Sequence, residues 1–429
     1  MKTTVLTVLL SLLIGGSVAW AQPPTSVGGE FQVNTYTTSY QEHPSVGIAA
    51  NGKIVVVWQS FGSTGTDTSD VSVQGQLFNA NGSAQGGEFQ INTYTTNGQK
   101  RPSVAVVADG RFVVVWEGPP SGPWGQRFDA TGFAVGSEFQ INSDTTSGGV
   151  PSVAANSDGN FVVVWEARDL GGPGPSGVSI QGRWFDSTGA ALGDQFQINT
   201  YSGGFHIEPS VALADNGDSV VVWASPGIHG QRFDGDGLAV GDEFQISTHT
   251  TSHPRAPSVA LNADGSFVVV WYGDVGDTSS SSVQGRRFDA AGTAVGGQFQ
   301  ANTYTTGYQI HPSVGADAEG NFVVLWQSYG SSGSDASLAS IQGQRFHATG
   351  MVVGDEFQVN TYTTSYQESA AVALNGAGDF VVVWSSDGSS GTDTSSYSVQ
   401  SQRYQFGLVF ADGFESGDTS PWSSQQPRP

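Results

Sequence analysis

Apolar runs that end in tryptophan recur seven times along the chain, separated by polar segments rich in Gly, Ser and Thr. The tryptophans are Trp58, Trp116, Trp165, Trp223, Trp271, Trp326 and Trp384. In the run at residues 161–165 (Phe-Val-Val-Val-Trp) the apolar residues are continuous and do not alternate with polar ones. That pattern is typical of a β-strand covered on both faces. The recurrence at intervals of about 50–60 residues indicates a repeat architecture.

Each repeat contains four strand-like segments in a fixed order. They read Glu-Phe-Gln-Ile-Asn, Pro-Ser-Val-Ala, Val-Val-Val-Trp and Gln-Gly-x-x-Phe, with small variations. Between the second and third segments a glycine, such as Gly52 or Gly159, supplies the positive φ of a tight hairpin. The distance from the tryptophan to the last aromatic residue varies between 10 and 20 residues, whereas the other links are nearly constant. Insertions are tolerated in exposed backbone, so these variable links should form one loop face.

These features predict an all-β fold, a seven-bladed β-propeller of four-stranded antiparallel blades over residues 28–406. Seven sheets packed face to face around an axis would cover the third strand of every repeat on both sides. The chain begins with an unpartnered copy of the first segment at residues 30–34, and the last repeat lacks one. We therefore predict that this N-terminal strand closes the ring and removes an exposed edge. A β-solenoid is the alternative, but it would have shorter coils without long antiparallel hairpins.

The ends of the chain predict an exported protein. Residues 1–21 have the pattern of a signal peptide, with Lys2, an apolar stretch and a small-x-small cleavage site. We expect a linker at residues 22–27, a disordered tail at residues 407–429, and a secreted or periplasmic monomer that does not insert into the membrane after cleavage. There is no cysteine, so no disulfide stabilises it. The net charge of −23 argues against nucleic acid and anionic membranes as partners.

Candidate ligand-binding residues lie in the links between blades. Because antiparallel strands reverse direction, the Asn-Thr-Tyr-Thr-Thr links emerge on the same face as the variable loops. Exposed tyrosine beside Asn, Thr and Gln suits recognition of a glycan or an extracellular protein. The alternative is that these residues only cover the ends of packed blades. The candidates come from three blades that become neighbours when the ring closes: Tyr36, Tyr40, Tyr304, Tyr308, Tyr362 and Tyr366.

The variable loops of the same three blades each carry an aspartate after a Gly-, Ser- and Thr-rich stretch, at Asp67, Asp335 and Asp393. A carboxylate among hydroxyl and carbonyl oxygens can contribute to a Ca²⁺ site, so calcium is the candidate cofactor. The six to eight oxygen ligands that Ca²⁺ needs are not evident, however, and Asp is also a common turn residue. We interpret the seven tryptophans as residues that pack between blades, because each ends a fully apolar strand. The alternative is that they serve as platforms for sugar rings.

A catalytic site in a repeat protein should appear as residues that break the repeat. Glu208 with His206 or Asp169 would make an acid–base pair. Three arginines, Arg101, Arg168 and Arg255, resemble the carboxylate clamp of sialidases, which are also propellers. The Asp-box signature of that family is absent, because Asp and Gly are adjacent here. No nucleophile elbow or Cys/His metal cluster is present in the sequence, so we assign no catalytic residue. The repeat-breaking residues are Arg101, Arg168, Asp169, His206, Glu208, His229, His253 and Arg255.

The repeat phrases Asp-Gly-x-Phe-Val-Val-Val-Trp and Gln-Arg-Phe-Asp-Ala-Thr-Gly, followed by Glu-Phe-Gln-Ile-Asn, resemble repeats of large exported bacterial proteins, often of the surface or adhesion type. The resemblance covers about residues 28–406 and brings no catalytic residues with it. It implies an exported, non-catalytic propeller that binds a glycan or a surface protein through the variable-loop face. A propeller glycosidase or lyase, sialidase-like, and a passive structural domain remain as alternatives.

Overall fold

The computed structural model describes residues 24–405 except 64, 68–69, 120–121, 144–146, 169–176, 201–204, 249–253, 274–280, 332, 336, 390 and 394–395. The predicted signal peptide and C-terminal tail lie outside the described residues. Those residues form strands and turns, and none of them belongs to a helix that could cross a membrane.

Twenty-nine strands follow one another among the described residues. Two short ones come first, β1 (Thr25–Ser26) and β2 (Phe31–Gln32). Blade 1 contains β3 (Gln41–Ile48), β4 (Ile54–Phe61), β5 (Val71–Phe78) and β6 (Ala84–Gln90). Blade 2 contains β7 (Lys100–Val106), β8 (Phe112–Glu117), β9 (Pro123–Phe128) and β10 (Ala134–Gln140). Blade 3 contains β11 (Ser147–Ala155), β12 (Phe161–Arg168), β13 (Val178–Phe185) and β14 (Phe196–Gln197).

The remaining blades repeat this order. Blade 4 contains β15 (Ile207–Leu213), β16 (Ser219–Ser225), β17 (Gly227–Phe233) and β18 (Phe244–Gln245). Blade 5 contains β19 (Arg255–Leu261), β20 (Phe267–Gly273), β21 (Ser282–Phe288) and β22 (Phe299–Gln300). Blade 6 contains β23 (Gln309–Ala316), β24 (Phe322–Ser328), β25 (Ser340–Phe346) and β26 (Val352–Gln358). Blade 7 contains β27 (Gln367–Leu374), β28 (Phe380–Asp387) and β29 (Tyr397–Gln405), together with β1 and β2.

Each blade is an antiparallel sheet whose strands pair in chain order, and the seven blades form a ring. The Pro-Ser-Val-Ala strand of each blade contacts the same strand of the next blade, so these strands are innermost. The Glu-Phe-Gln strand is outermost. The prediction of an all-β, seven-bladed propeller is therefore confirmed.

The ring closes between the two ends of the described chain. β2 pairs with β29 through Phe31 opposite Ser401 and Gln32 opposite Gln400, as the unpartnered first segment predicts. β1 also pairs with β29, with Thr25 opposite Gln405. The sequence places Thr25–Ser26 in a linker, whereas the structure adds them to the blade. β2 covers only the middle of β29, so the end of that strand still offers backbone groups that β1 can pair with.

The core consists of seven apolar clusters, one in each joint between neighbouring blades. Successive residues of the central strand point into opposite joints: in β4, Val57 packs towards blade 2 and Trp58 towards blade 7. The seven repeat tryptophans are at most 2% exposed, so they are core and not sugar platforms. Full burial of a large apolar side chain contributes about 1.5–3 kcal/mol, which makes these joints the main source of stability.

Polar side chains fix each blade against the next. A serine Oγ on the inner strand accepts a hydrogen bond from a valine N–H on the next inner strand, at 3.2–3.4 Å in six joints. At the rim, the Glu88 carboxylate accepts from the backbone N–H and hydroxyl of Thr35, and equivalent Glu or Gln residues do the same in the other joints. The Pro-Ser and Glu-Phe motifs of the repeat are therefore structural.

Candidate ligand-binding site

Every inner strand carries a β-bulge near its start, close to the variable-loop face. In blade 1 the pair His43-Pro44 lies opposite the single residue Trp58. The first residue of each such pair has a positive φ of 46–56°, which is uncommon for residues other than glycine and costs about 1–3 kcal/mol. Backbone strain of this kind clusters at binding sites. The seven strained residues ring the axis and line a cavity of about 350 Å³, here called the axial mouth: His43, Arg101, Val150, Glu208, Ala256, His311 and Ser369.

Four residues of the axial mouth are ionisable. Burial in the axial mouth, followed by the charges of Arg101 and His311, lowers the pKa of His43 to about 4. Burial also lowers the pKa of His311, against the opposing effect of Glu208. Both imidazoles are therefore neutral at pH 7, and both remain open to the cavity. Glu208 is partly engaged, since one of its oxygens accepts from the Ala256 N–H at 2.7 Å. The mouth thus offers hydrogen-bond donors and acceptors to a polar ligand.

A buried carboxyl lies behind the axial mouth. Glu166 follows Trp165 on β12, and its Oε1 accepts from the backbone N–H of Glu208 at 2.8 Å. Burial raises the pKa of Glu166 and the Glu208 charge adds to this, while the Glu208 N–H, Arg168 and Arg101 act in the opposite direction. In blade 1, Gln59 holds the same position and accepts from the Arg101 N–H at 3.2 Å. In blades 1 and 3 the residue after the tryptophan therefore holds the strained backbone of the next blade.

Aromatic side chains cluster on blades 6, 7 and 1. Tyr329 lies between Tyr308 and Tyr366, with ring centroids 5.9 and 6.4 Å away. Tyr40 lies between Phe61 and Tyr397, at 5.6 and 6.0 Å. Tyr40 and Tyr308 keep 44% and 52% of their surface exposed, so a ligand can reach them. These six residues are called the aromatic arc: Tyr308, Tyr329, Tyr366, Tyr397, Tyr40 and Phe61.

Carboxylates lie within the aromatic arc. The Tyr397 hydroxyl donates a hydrogen bond to Glu368. Burial, followed by the charges of Glu42 and Asp387, raises the pKa of Glu368. Burial also raises the pKa of Glu42, although a hydrogen bond from Gln59 at 3.4 Å opposes the change. Aromatic rings beside hydrogen-bonding carboxyl groups are a combination that accepts hydroxyl donors from a ligand.

The structure divides the six predicted tyrosines into two sets. Tyr40, Tyr308 and Tyr366 belong to the aromatic arc. The other three are half-buried, and each hydroxyl packs against a glycine of positive φ in its own blade. A Cβ on that glycine would come within 2.6 Å of the hydroxyl, so the contact depends on glycine. The pairs are Tyr36 with Gly62, Tyr304 with Gly330, and Tyr362 with Gly388. These three tyrosines position the links and present little surface to a ligand.

The three predicted calcium ligands are buried and hydrogen-bonded, one in each of blades 1, 6 and 7. In each loop, a carboxylate oxygen accepts from the Nδ2 of an asparagine two residues after the outer strand, at 2.8–2.9 Å. The pairs are Asp67 with Asn92, Asp335 with Asn360, and Asp393 with Asn34. Within the described part of the chain, no group of three or more His, Cys, Asp or Glu side chains could hold a metal ion. Calcium binding by these loops stays a prediction.

The structure brings only some of the repeat-breaking residues together. Arg101 and Glu208 line the axial mouth. The charge of Arg168 acts to lower the pKa of Glu166, which lies behind the mouth. His206 is buried, and His229 pairs with Glu243 at 3.3 Å. Asp169 and His253 lie outside the described residues, and Arg255 begins β19 with its side chain exposed.

Sequence reasoning missed several residues of the site, although they occupy fixed places in the repeat. The residue before each proline lines the mouth. Carboxyl groups come from the residue one place earlier, as in Glu42 and Glu368, or from the residue after the tryptophan, as in Glu166. The fourth strand supplies Tyr397. The missed residues are His43, His311, Glu42, Glu166, Glu368, Tyr329 and Tyr397. A comparison of the repeats at the position before proline would have found the first two.

No known protein-family model matches the chain, and no characterised protein shows significant sequence similarity to it. Solved structures share the fold. A fungal alcohol oxidase of the AA5 family, in complex with copper, has a TM-score of 0.54 and 14% identity over 89% of this chain and 76% of that chain. The polysaccharide lyase Uly1 has a TM-score of 0.54 and 9% identity over 87% of this chain and 91% of that chain. A protein of unknown function from Dyadobacter fermentans has a TM-score of 0.49 and 12% identity over 88% and 98% of the two chains. Similarity at these identities shows the fold alone.

Proposed function

We propose that the protein binds a carbohydrate chain on the variable-loop face, across the axial mouth and the aromatic arc. The observation that carries this proposal is the arc itself. Exposed Tyr40 and Tyr308 contact Tyr397 and Tyr329, and these two tyrosines interact with the carboxyl group of Glu368. Tyrosine offers a flat apolar surface with a polar edge and loses little conformational entropy when it binds.

The chemistry of a sugar fits both parts of this surface. Its C–H face would pack on the tyrosine rings, and its hydroxyl groups would donate to the carboxyl oxygens of Glu42 and Glu368. The neutral imidazoles of His43 and His311 would supply further donors and acceptors at the axis. Binding would bury polar groups, so the affinity depends on each sugar hydroxyl finding a partner. One protein of similar fold is a polysaccharide lyase, which supports a carbohydrate ligand without establishing it.

A glycan array with the purified protein tests the proposal, with Tyr40→Ala and Tyr308→Ala introduced together. Loss of two aromatic contacts should weaken binding of a captured glycan at least about fivefold, since each contact is worth about 0.5–1.5 kcal/mol. Tyr94→Ala is the matched control, because Tyr94 is 46% exposed on the same face but outside the arc. Equal binding by the double variant and the control would contradict the proposal. Absence of any glycan binding would also contradict it and would favour a protein partner.

An enzymatic function is the second candidate, and Glu166 is the observation that favours it. A buried carboxyl with a raised pKa beside an ionisable partner, Glu208, is the arrangement expected of a general acid and base. Glu208→Gln would abolish turnover of a polysaccharide by such a glycosidase or lyase. The same substitution would weaken glycan capture only in part, because the tyrosine contacts of the aromatic arc remain, so chain-length analysis of a captured polysaccharide distinguishes the two functions.

A further inference from the structure

The fourth strand ends with an arginine in five of the seven blades, just before its last aromatic residue: Arg127, Arg232, Arg287, Arg345 and Arg403. Three of these guanidinium groups reach across the joint and donate to a turn carbonyl of the next blade. Arg127, for example, donates to the Ser187 carbonyl at 2.9 Å and interacts with the charge of Asp186. An arginine from one blade therefore occupies the outer groove formed with a turn of the next, and Asp186 makes the turn beside Arg127 acidic.

Two blades lack the arginine: Leu77 takes its place in blade 1, and Trp184 takes its place in blade 3. Its indole ring lies 3.6 Å from the Cβ position of Gly237 in the blade 4 turn and stacks on Phe196 at 5.1 Å. The outer strands β14 and β18 are only two residues long, so they leave the joint uncovered. The result is a groove of about 740 Å³ between the rims of blades 3 and 4, a volume in the range of ligand sites.

The groove combines apolar and acidic surface. Leu192 and Leu238 line it and are 63% and 64% exposed. Asp194, Asp236 and Asp242 line it too, and all three are exposed. None of the described residues that line the groove is Lys, Arg or His. The acidic turn is retained while its cation is missing, which is a charge pattern that a ligand cation would complete.

We propose that this rim groove binds an arginine side chain of an apolar peptide segment. The guanidinium would donate to the Gly235 carbonyl, which is equivalent to the Ser187 carbonyl that Arg127 contacts. It would also pair with Asp236, which lies two residues after the equivalent of Asp186. The aliphatic stem and a neighbouring apolar residue would pack on Leu192 and Leu238. A peptide arginine is the occupant to which we commit, because peptide arginines already fill the equivalent grooves of this chain.

The first experiment measures binding of benzoyl-arginine amide to the whole protein by calorimetry. Benzoyl-citrulline amide is the matched probe, because it has the same shape and lacks the charge. We expect the arginine probe to bind about tenfold more tightly, since charge-assisted hydrogen bonds are about twice as strong as neutral ones. Equal affinities, or no binding of the arginine probe at millimolar concentration, would overturn the proposal.

The second experiment uses Trp184→Arg, which introduces the arginine that five other blades have at this position. The new side chain should occupy the groove. We expect this variant to melt at a lower temperature, because Trp184 belongs to the apolar cluster between blades 3 and 4, and to lose affinity for the arginine probe at least tenfold. Asp236→Asn should weaken the same binding and leave the citrulline probe unaffected. Unchanged binding by both variants would overturn the proposal. Glycan binding at the aromatic arc, on the other face, should be the same in all of these proteins, so the two proposals fail independently.

Discussion

One joint of the ring lacks a hydrogen bond that the other six share. In blades 1–6 a serine Oγ accepts from a valine N–H of the next blade, as Ser210 does from Val259 at 3.4 Å. In blade 7 the serine is replaced by Ala371, which pairs with Val383 in the same register as Ser45 with Val57 in blade 1. We predict that Ala371→Ser supplies the missing acceptor for the Val46 N–H and strengthens the joint that also closes the ring.

The magnitude follows from the size of the molecule. A neutral hydrogen bond contributes a net 0.5–1.5 kcal/mol, so about 1 kcal/mol is expected. The entropy of unfolding is about 2.1 cal/mol/K per residue, or about 0.8 kcal/mol/K for a propeller of about 380 residues. The melting temperature should therefore rise by only about 1 °C. If the ring opens at this joint before it unfolds, the unfolding rate should fall about fivefold, which is the easier effect to measure.

Calorimetry and the unfolding rate in guanidinium, followed by the fluorescence of the buried tryptophans, test this reasoning. Ser210→Ala is the matched control, because it removes the equivalent bond between blades 4 and 5. It should lower the melting temperature by a similar amount and change the unfolding rate less than Ala371→Ser does. A melting temperature that is unchanged in Ala371→Ser but reduced in Ser210→Ala would refute the idea that the seventh joint is weak for lack of this bond.

Three further predictions concern titration and metal. Arg101→Gln should raise the pKa of His43 from about 4 towards 6.5. Burial is the largest cause of the lowered pKa, and the Arg101 charge adds to it. An NMR titration of the histidines checks this, and the same His43 pKa in the variant and the wild type would contradict it. Since that depressed pKa contributes stability that is lost as the pH falls from 6.5 towards 4, the variant should also be less acid-sensitive in urea unfolding. Burial opposes ionisation of Glu243, but hydrogen bonds from His229 and Thr200 outweigh burial and lower the pKa of Glu243 to about 2. The Glu243→Gln variant should therefore lose less stability than the wild type between pH 4.5 and 2. Equal losses of stability in the two proteins would contradict this assignment. Asp335→Ala should cost about 1–3 kcal/mol in the absence of Ca²⁺, because one N–H of the buried Asn360 amide loses its acceptor. If the loop also binds calcium, Ca²⁺ will raise the melting temperature of the wild type and not of the variant.

The fold could be predicted from the sequence because the repeat carries its architecture in every copy. The continuous apolar run, the hairpin glycine and the unpartnered segment at residues 30–34 each have one physical explanation, and together they allow only a closed ring. The two-residue outer strands β14, β18 and β22 could not be predicted in this way. They have the same Phe-Gln letters as the end of the seven-residue strand β6, and their length depends on whether the segment before Phe-Gln also pairs with the fourth strand.

The site was only partly predictable, because identical letters have different surroundings. Tyr36 and Tyr40 are both tyrosines of one link, yet Tyr36 packs on Gly62 and Tyr40 stays exposed beside Tyr397. Which of the two meets a ligand depends on a contact with a residue more than 20 positions away. Glu368 was missed for a similar reason: it belongs to a strand that reads as structural, and only the β-bulge turns the start of that strand towards the mouth.

The β-bulge explains how a protein of near-identical blades can carry a specific site. Its strained backbone is held in all seven blades by the same neighbours: the strand opposite, the tryptophan and the inner strands on either side. Because those neighbours fix the backbone, the side chain at the strained position contributes little to the fold and can differ from blade to blade. The chain places Arg101 and Glu208 at two of these positions, imidazoles at two, and small or apolar side chains at three. Substitutions at the mouth should therefore change ligand binding with little effect on stability, whereas substitutions of the serine or tryptophan behind it should do the reverse.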